Sequence, residues 1–291
     1  MANALYSQVL LAIAVESFTG QIAPITAMSR ATSHDALTFQ DVVKVPYALP
    51  NSASKAFDYS TPYSSTTTLG VLPVTLNNLS YQSFTINDCD SDKLDGAAIA
   101  TFAKQCGSKL AVDVVSASLA SVITDANYPL SASITSNQLT SSAGISNLVT
   151  QADNSNWGVD NRNLILGAVG WNSLINNPSL NQAFSYGGSE VIKNGAPTNV
   201  LGFNTYKSVG FTFPNSCKGL VLNPNAVLFA TGLHKPSNES NGLVQFFSET
   251  VDGITVSMKT WYDAANAKTV YVFECLSGAA VGVSGGLFQL K

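Results

Sequence analysis

One catalytic motif occurs in this sequence. The run Gly282-Val283-Ser284-Gly285-Gly286 satisfies G-x-S-x-G, the nucleophile elbow of serine hydrolases. Such a serine needs a helix after it, and an acid and a histidine later in the chain, but no histidine follows His234. We therefore interpret the run as a glycine-rich turn or a flexible tail, and we predict no catalytic residue.

Four aspartates, at positions 88, 90, 92 and 95, stand directly before a long helical pattern. Carboxylates there either cap the helix and complement its positive end or bind a metal ion. A calcium loop would also need a glycine at its sixth position and a closing glutamate, and the run has neither. The two histidines, His34 and His234, lie in polar stretches without a second ligand nearby and are interpreted as surface or structural residues. We predict helix caps and no metal site.

The cysteines show no metal-binding or disulfide pattern. They form no C-x-x-C pair and have no short regular spacing, and we interpret them as buried thiols from a reducing compartment. The four are Cys89, Cys106, Cys217 and Cys275.

Cofactor and nucleic-acid motifs are missing as well. The sequence contains neither G-x-x-x-x-G-K-[ST] nor a G-x-G-x-x-G that opens a helix after a strand, so no nucleotide or other cofactor is predicted. The formal net charge is -4, and lysine and arginine do not cluster. This excludes a protein that reads nucleic-acid sequence.

The first half of the chain predicts a helix, an extended segment and a second, longer helix. Apolar spacing indicates an amphipathic helix over 3–18, and three prolines with a polar run indicate an extended segment over 38–68. Two β-like runs flank Asn77-Asn78 and predict a hairpin or a long two-stranded loop. Spacing of three and four residues then predicts one helix of about 30 residues over 92–124.

The second half predicts shorter elements. These are a strand and a short helix after Pro129, a buried strand over 163–166, a helix over 169–176 and two strands around the Asn194-Gly195 turn. Strands or short helices over 220–233 and three β runs between 243 and 276 follow. The fold class is therefore mixed α+β, with one dominant helix.

Composition indicates assembly. Only 11% of the residues are charged, under half the usual share, whereas 35 Ser, 23 Thr and 25 Asn together make 83 of 291 residues. A surface largely covered by other copies explains this, and so does a secreted surface that needs little charge. Because an amino-terminal arm and a two-stranded projection cannot bury their apolar faces within one domain, we expect neighbouring subunits to cover them.

The order of these elements resembles the major capsid proteins of tailed double-stranded DNA bacteriophages, a fold shared with encapsulins and the herpesvirus capsid floor. The best-matched stretch is VTLNNLSYQSFTINDCDSDKLDGAAIATFAKQCGSKLAVDVVSASLASVI, similar to the family's extended loop returning through an acidic segment into its long spine helix. NRNLILGAVGWNSLINNPSLNQAF and VIKNGAPTNVLGFNTYKSVGF resemble the axial domain, with Arg162, Gly195, Gly202 and Phe203 at the matched positions. GITVSMKTWYDAANAKTVYVFECLSGAAV is similar to the closing strands of the peripheral domain.

The resemblance implies a structural subunit and no enzyme. Copies would form pentamers and hexamers of an icosahedral shell around double-stranded DNA, contacted without sequence specificity, in the virion. The subunit would be made in the host bacterial cytoplasm, with portal and scaffolding or decoration proteins as partners and no membrane association. The implied parts are an amino-terminal arm over 1–45, an extended loop over 46–90, a peripheral domain with the spine helix over 91–134, an axial domain over 135–240 and closing strands over 241–291.

Two family features are missing, and three other functions stay open. No lysine lies between Lys55 and Lys93, so covalent cross-linking of the extended loop is not expected, and no charged helical scaffolding extension precedes the arm. An encapsulin-like compartment shell is the first alternative, but encapsulins lack an extended arm and carry a helix there. A secreted Ser/Thr/Asn-rich adhesin would need a signal peptide and disulfides, and neither is evident. A hydrolase using Ser284 is the last.

Overall fold

The structure, a computed structural model, describes residues 2–48, 69–91, 93, 95–129, 131–132, 139–178, 199–208, 210–211, 213, 217–236 and 244–290. The helices are α1 (Ala2–Thr19), α2 (Ala23–Thr26), α3 (Asp88–Ser91), α4 (Gly96–Val122), α5 (Ser142–Asn154) and α6 (Ala168–Ile175). The strands are β1 (Ser29–Ala36), β2 (Val42–Ala48), β3 (Leu69–Thr75), β4 (Asn78–Asn87), β5 (Ser131–Ala132), β6 (Arg162–Leu166), β7 (Asn199–Val200), β8 (Phe203–Lys207), β9 (Gly219–Leu222), β10 (Val227–Leu233), β11 (Gln245–Val251), β12 (Ile254–Asp263), β13 (Lys268–Val281) and β14 (Leu287–Leu290).

The first sheet is built around the 14-residue strand β13. Its order is β1-β10-β13-β12-β11, and β4 pairs with β13 as the sixth strand. All of these pairs are antiparallel except β1 with β10. One face of this sheet packs against α1 and α4 in the largest apolar core of the described chain.

The second sheet has the order β5-β14-β9-β6-β8-β7. β6 is buried along its whole length and pairs in parallel with β8 and antiparallel with β9. Helices α5 and α6 supply Leu148 and Leu174 to the core on this sheet, where the Trp157 and Phe288 rings stack at 4.7 Å. Trp157 and Trp171 are both buried in this core.

Helix α4 is the long helix that the apolar spacing predicted, and it begins and ends inside the predicted bounds of 92–124. It begins at Gly96 because the Asp95 carboxylate accepts the backbone N–H of Ala98 at 2.8 Å and so caps the first turn. It ends at Val122, whose carbonyl accepts the Asn127 side-chain amide at 2.7 Å. Asp95 thus confirms the predicted cap, while Asp92 lies outside the described residues.

The buried sides of the two longest helices differ in part from those that the spacing indicated. The apolar spacing that predicts α4 includes Phe102, Leu110 and Val114. Leu110 and Val114 are fully buried, but Phe102 is 40% exposed. In α1, Val9 is about half exposed. The residues of α1 that enter the core are Leu10, Leu11, Ala14, Val15 and Phe18.

The hairpin predicted across Asn77-Asn78 is wrong. β3 ends at Thr75 and β4 begins at Asn78, but the two strands do not pair with each other. β3 pairs with β2, and β4 pairs with β13, joining Asn78 to Ser277 and Asn87 to Lys268. A two-stranded ribbon does exist, formed by β2 and β3. Local spacing located the strands correctly, whereas their partners lie far away in the chain.

The expectation that the amino-terminal segment cannot bury its apolar residues within its own subunit is also wrong for the described residues. Helix α1 packs against α4, and β1 extends the first sheet through its pairing with β10. Phe18, Ile22 and Ile25 are at most 1% exposed. The sequence showed the helix, but it did not show that α4 lies alongside it.

Most of the second half confirms the predicted elements. β6, α6, β9 and β10 lie where the pattern put them, and β11, β12 and β13 are the three predicted β runs. The strands predicted around Asn194-Gly195 lie outside the described residues.

Candidate assembly surfaces

The ribbon of β2 and β3 has two apolar faces, and only one of them is covered by the rest of the subunit. Val45 and Val74 are fully buried against the first sheet, in a core shared with Leu228 and Leu276. We call the opposite side the outer ribbon face. It consists of Val42, Lys44, Pro46, Val71, Pro73 and Thr75, all exposed.

The register places these six residues side by side. Val42 stands opposite Thr75, Lys44 opposite Pro73, and Pro46 opposite Val71. Directly opposed residues of an antiparallel pair lie on the same face, so the six form one continuous patch. Lys44 is its single charged residue, and Val42 and Val71 are each 53% exposed. The outer ribbon face is therefore apolar, nearly uncharged and open.

The two prolines decide how another chain can approach the ribbon. Proline has no N–H, so Pro46 and Pro73 fit the non-hydrogen-bonded pairs of the antiparallel ladder. The backbone groups of residues in such pairs point away from the partner strand. One proline thus interrupts the free edge of β2 and the other that of β3. A further strand cannot bond continuously to either edge, and contact through side chains on the outer ribbon face is favoured.

A buried ionic cluster lies within the first sheet. The Lys259 ammonium contacts Oε1 of Glu274 directly. Nδ1 of His234 lies 3.0 Å from the same oxygen and 3.2 Å from the ammonium nitrogen. Glu274 is only 5% exposed, and its charge is compensated by these neighbours. The structural interpretation of His234 fits this position, whereas the sequence gave no sign of Glu274 as its partner.

The cluster does not form a catalytic triad. Ser257 Oγ donates to Oε1 of Glu274 at 3.4 Å, and His234 contacts the same oxygen. In a serine hydrolase the histidine would lie between serine and acid, so that it could remove the hydroxyl proton. Here serine and histidine bind the acid side by side, and the arrangement can hold strands together but cannot activate the hydroxyl.

Ser284 lies in a short 3-10 turn, Ser284–Gly286, that joins β13 to β14. The strand β14 follows it, where a nucleophile elbow would need a helix. Gly282 and Val283 donate their N–H groups to Ala226 and Asn225, at 2.9 and 3.0 Å. The predicted glycine-rich turn is confirmed. The flexible tail is wrong, because β14 is a buried strand of the second sheet.

The other aspartates of the acidic run serve local structure. Asp88 accepts the Tyr262 hydroxyl at 2.6 Å, which raises the pKa of that phenol, and Asp90 lies 3.7 Å from Lys93. Among the described residues, no group of three or more His, Cys, Asp or Glu side chains could hold a metal ion. The side chain of His34, in β1, lies outside the described part.

All four cysteines are free thiols, but they are not all buried as predicted. Cys217 and Cys275 are buried, Cys106 is half-buried, and Cys89 is exposed in α3. Burial, with a smaller effect of the Glu274 carboxylate, raises the pKa of Cys275 to about 12. This thiol therefore stays protonated and unreactive at neutral pH.

Three of the four residues named at the matched positions of the axial domain lie in the described part. Arg162 is buried, and its guanidinium binds Asp153 Oδ1 at 2.6 Å and the carbonyls of Gly158 and Trp157 at 2.8 and 2.9 Å. Gly202 and Phe203 lie at the turn between β7 and β8, while Gly195 lies outside the described residues. Arg162 thus links the start of β6 to the end of α5 and to the loop between them.

The sequence analysis missed the outer ribbon face, although a signal was present. Residues 42–46 read VVKVP and 69–75 read LGVLPVT, so apolar side chains occur at odd and even positions alike. Strands of this kind are apolar on both faces and are usually covered on both. One face of this ribbon is nevertheless exposed in the subunit.

Comparisons with known proteins find matches among solved structures alone. Neither protein-family models nor curated protein sequences match the chain. Among solved structures, a virus-like particle from Pyrococcus furiosus matches with a TM-score of 0.54 and 10% identity over 98% of both chains. The capsid of cyanophage P-SCSP1u matches with a TM-score of 0.53 and 15% identity, over 91% of this chain and 86% of the other.

A structure from Gordonia phage Cozz matches with a TM-score of 0.50 and 12% identity, over 93% of this chain and 86% of the other. The three matches cover between 91% and 98% of this chain. None of the helices in the described part is both long and apolar enough to cross a membrane. The chain has the fold of the tailed-phage major capsid proteins, which confirms the α+β fold class that the sequence predicted.

Proposed function

We propose that this protein is the structural subunit of an icosahedral bacteriophage head. Copies assemble into pentamers and hexamers that close around double-stranded DNA. The observation that carries the proposal is the outer ribbon face, an open apolar surface on a ribbon whose other face is already in the core. The likeness of the fold to viral shells supports it.

The energetics favour coverage of this face by neighbouring copies. Burying the exposed part of Val42 or Val71 contributes about 1 kcal/mol at about 25 cal/mol per Å² of apolar area. One such contact is weak, but each copy in a shell both presents and covers such surfaces. Obligate interfaces of about 2,000 Å² per neighbour then become stable.

The proposed role carries the partners and parts implied by the resemblance. The five-part division at residues 45, 90, 134 and 240 stays a prediction, as do a portal, scaffolding or decoration proteins and contact with DNA that ignores its sequence. The subunit is made in the host cytoplasm and ends in the virion. It needs no cofactor and performs no catalysis, so Ser284→Ala should leave assembly unchanged.

The amino-terminal arm no longer separates a phage head from an encapsulin-like compartment, because α1 packs on its own subunit. The two functions differ in the contents of the particle. Particles isolated from the source organism contain double-stranded DNA if the chain forms a phage head. Protein cargo without nucleic acid would instead identify a compartment shell.

Purified recombinant protein tests the proposal. Negative-stain microscopy and sedimentation should show closed particles or capsomers far heavier than the 30.5 kDa chain. A monomer that persists at high protein concentration would overturn the proposal.

A charge on the outer ribbon face should block assembly while leaving the subunit folded. Val71→Asp places a carboxylate on the face that another copy must cover, and we expect at least a tenfold rise in the protein concentration needed for particles. Val159→Asp is the matched control, since Val159 is 75% exposed outside the ribbon, and it should assemble normally. Circular dichroism checks that both variants fold. Equal assembly of the two would exclude the outer ribbon face as an interface.

A further inference from the structure

The turn between β7 and β8 contains an unusual residue. Leu201 and Gly202 join Val200 directly to Phe203, with φ of +48° and +85°. Two successive positive φ values in a two-residue loop make a type I′ turn, whose first position favours asparagine or aspartate. A leucine there is strained, because its Cβ crowds the backbone in the left-handed region.

A second turn of this chain has a residue type that suits the left-handed conformation. Asp252 and Gly253 join β11 to β12 in a turn of the same kind, with φ of +51° and +73°. Both turns therefore need a left-handed first residue, and only one is filled with a residue suited to it. Leu201 thus imposes a cost on folding that Asp252 does not impose.

Leu201 also lies at the tip of a well-ordered hairpin. Val200 and Phe203, on either side of the turn, are buried in the core of the second sheet. Asn199 Oδ1 accepts the Gly202 N–H at 3.2 Å, and Asn199 Nδ2 donates to Asn204 Oδ1 at 3.3 Å. Leu201 itself is 57% exposed. The hairpin thus exposes an apolar side chain to solvent. Because its backbone is already ordered, it would lose little conformational entropy on binding a partner.

We propose that Leu201 is an anchor residue that packs against another copy of this chain. The inference rests on the proposed function as a shell subunit. An exposed leucine alone needs no explanation, but a strained and exposed one at a braced tip indicates a contact partner.

The charges around the tip favour a second copy as that partner. Residues 199–206 carry no charged side chain. Identical tips that meet around a symmetry axis would bring like charges together if the tip were charged, whereas leucines attract one another there. A neutral apolar tip therefore suits contact between copies and gives no complementarity to DNA.

Two substitutions separate the anchor from the strain. Leu201→Asn relieves the backbone and removes the apolar side chain, so the melting temperature of the unassembled subunit should rise by about 2 °C. The concentration needed for assembly should rise at least tenfold. Leu201→Met keeps both the strain and the apolar surface, and it should assemble like the parent chain.

Asp252→Asn is the matched turn control, and it should change neither measurement. If the parent chain assembles and Leu201→Asn assembles equally well, the anchor is wrong while the proposed function stands. The anchor is also wrong if Leu201→Met fails like Leu201→Asn. A parent chain that stays monomeric overturns both.

Discussion

The carboxylate of Glu274 is a buried charge in the central strand of the first sheet. It lies in β13, and its two ionic neighbours come from β12 and from the residue after β10. Each of these strands is thereby tied to the central strand by a charge-assisted contact as well as by its backbone ladder. Removal of one partner leaves a charge without compensation in an interior that solvates it poorly.

We predict that Lys259→Met lowers the free energy of unfolding of the subunit by about 3 kcal/mol. Urea denaturation of the unassembled protein measures the loss. The double variant Lys259→Met/Glu274→Leu removes both charges, and it should recover most of the stability. The single variant Glu274→Leu completes the comparison. If the loss of unfolding free energy in the double variant equals the sum of the losses in the two single variants, the ion pair is not coupled.

Residues that act on their own neighbourhood could be predicted from the sequence. Asp95 caps α4 because the capped N–H lies three residues ahead, a spacing that can be read directly. The partners of Glu274 stand 40 and 15 residues before it, in strands that touch only after folding. No local pattern marks such a glutamate. The same reason hid the contact of Tyr262 with Asp88.

Gly107 sets the distance between the two longest helices. A Cβ at this position would lie 2.0 Å from the Ala14 carbonyl oxygen, so the backbones of α1 and α4 approach as closely as a missing side chain allows. The sequence indicates only a weak helix breaker here. The glycine is needed for packing, and its cost in helix propensity is offset by the close contact.

We predict that Gly107→Ala destabilises the subunit by about 3 kcal/mol, because α1 must move away from α4 and lose part of its apolar contact. Gly96→Ala is the control in the same helix, since no heavy atom lies within 4 Å of a Cβ there. It should be neutral or slightly stabilising. Thermal unfolding of the two variants compares them, and equal melting temperatures would contradict the close approach.

Element types followed from periodicity, but pairing did not. The long helix, the buried β6 and the three strands near the end of the chain are all visible as patterns. The sequence predicted β3 and β4 as a hairpin because only two residues separate them, whereas β4 pairs with a strand about 190 residues later. A short separation along the chain is a weak guide to strand pairing when a distant strand such as β13 can pair with one of the two neighbours.

At the scale of the whole molecule, low charge and assembly are linked. Only 11% of the residues are charged, and the outer ribbon face has one lysine among six residues. In the proposed shell, contacts between copies would depend on apolar burial and neutral hydrogen bonds, which salt screens little. Contact between copies stays a prediction from the composition, whereas the outer ribbon face is visible only from the register of β2 with β3.

We predict that assembly is nearly independent of ionic strength. Raising NaCl from about 0.1 M to about 1 M shortens the screening length from about 10 Å to about 3 Å, yet the concentration needed for particles should change less than about threefold. Light scattering against protein concentration measures it. Dissolution of the particles in high salt would show that ion pairs hold the copies together.

The prolines on the two free edges of the ribbon have a consequence for how errors are corrected. A ribbon with open edges could recruit strand after strand and end in a fibre, a product too stable to dissolve. Pro46 and Pro73 stop that growth at its first step. In the proposed shell, misplaced copies would then be held by side chains alone and could leave again, so a faulty lattice could anneal before it closes.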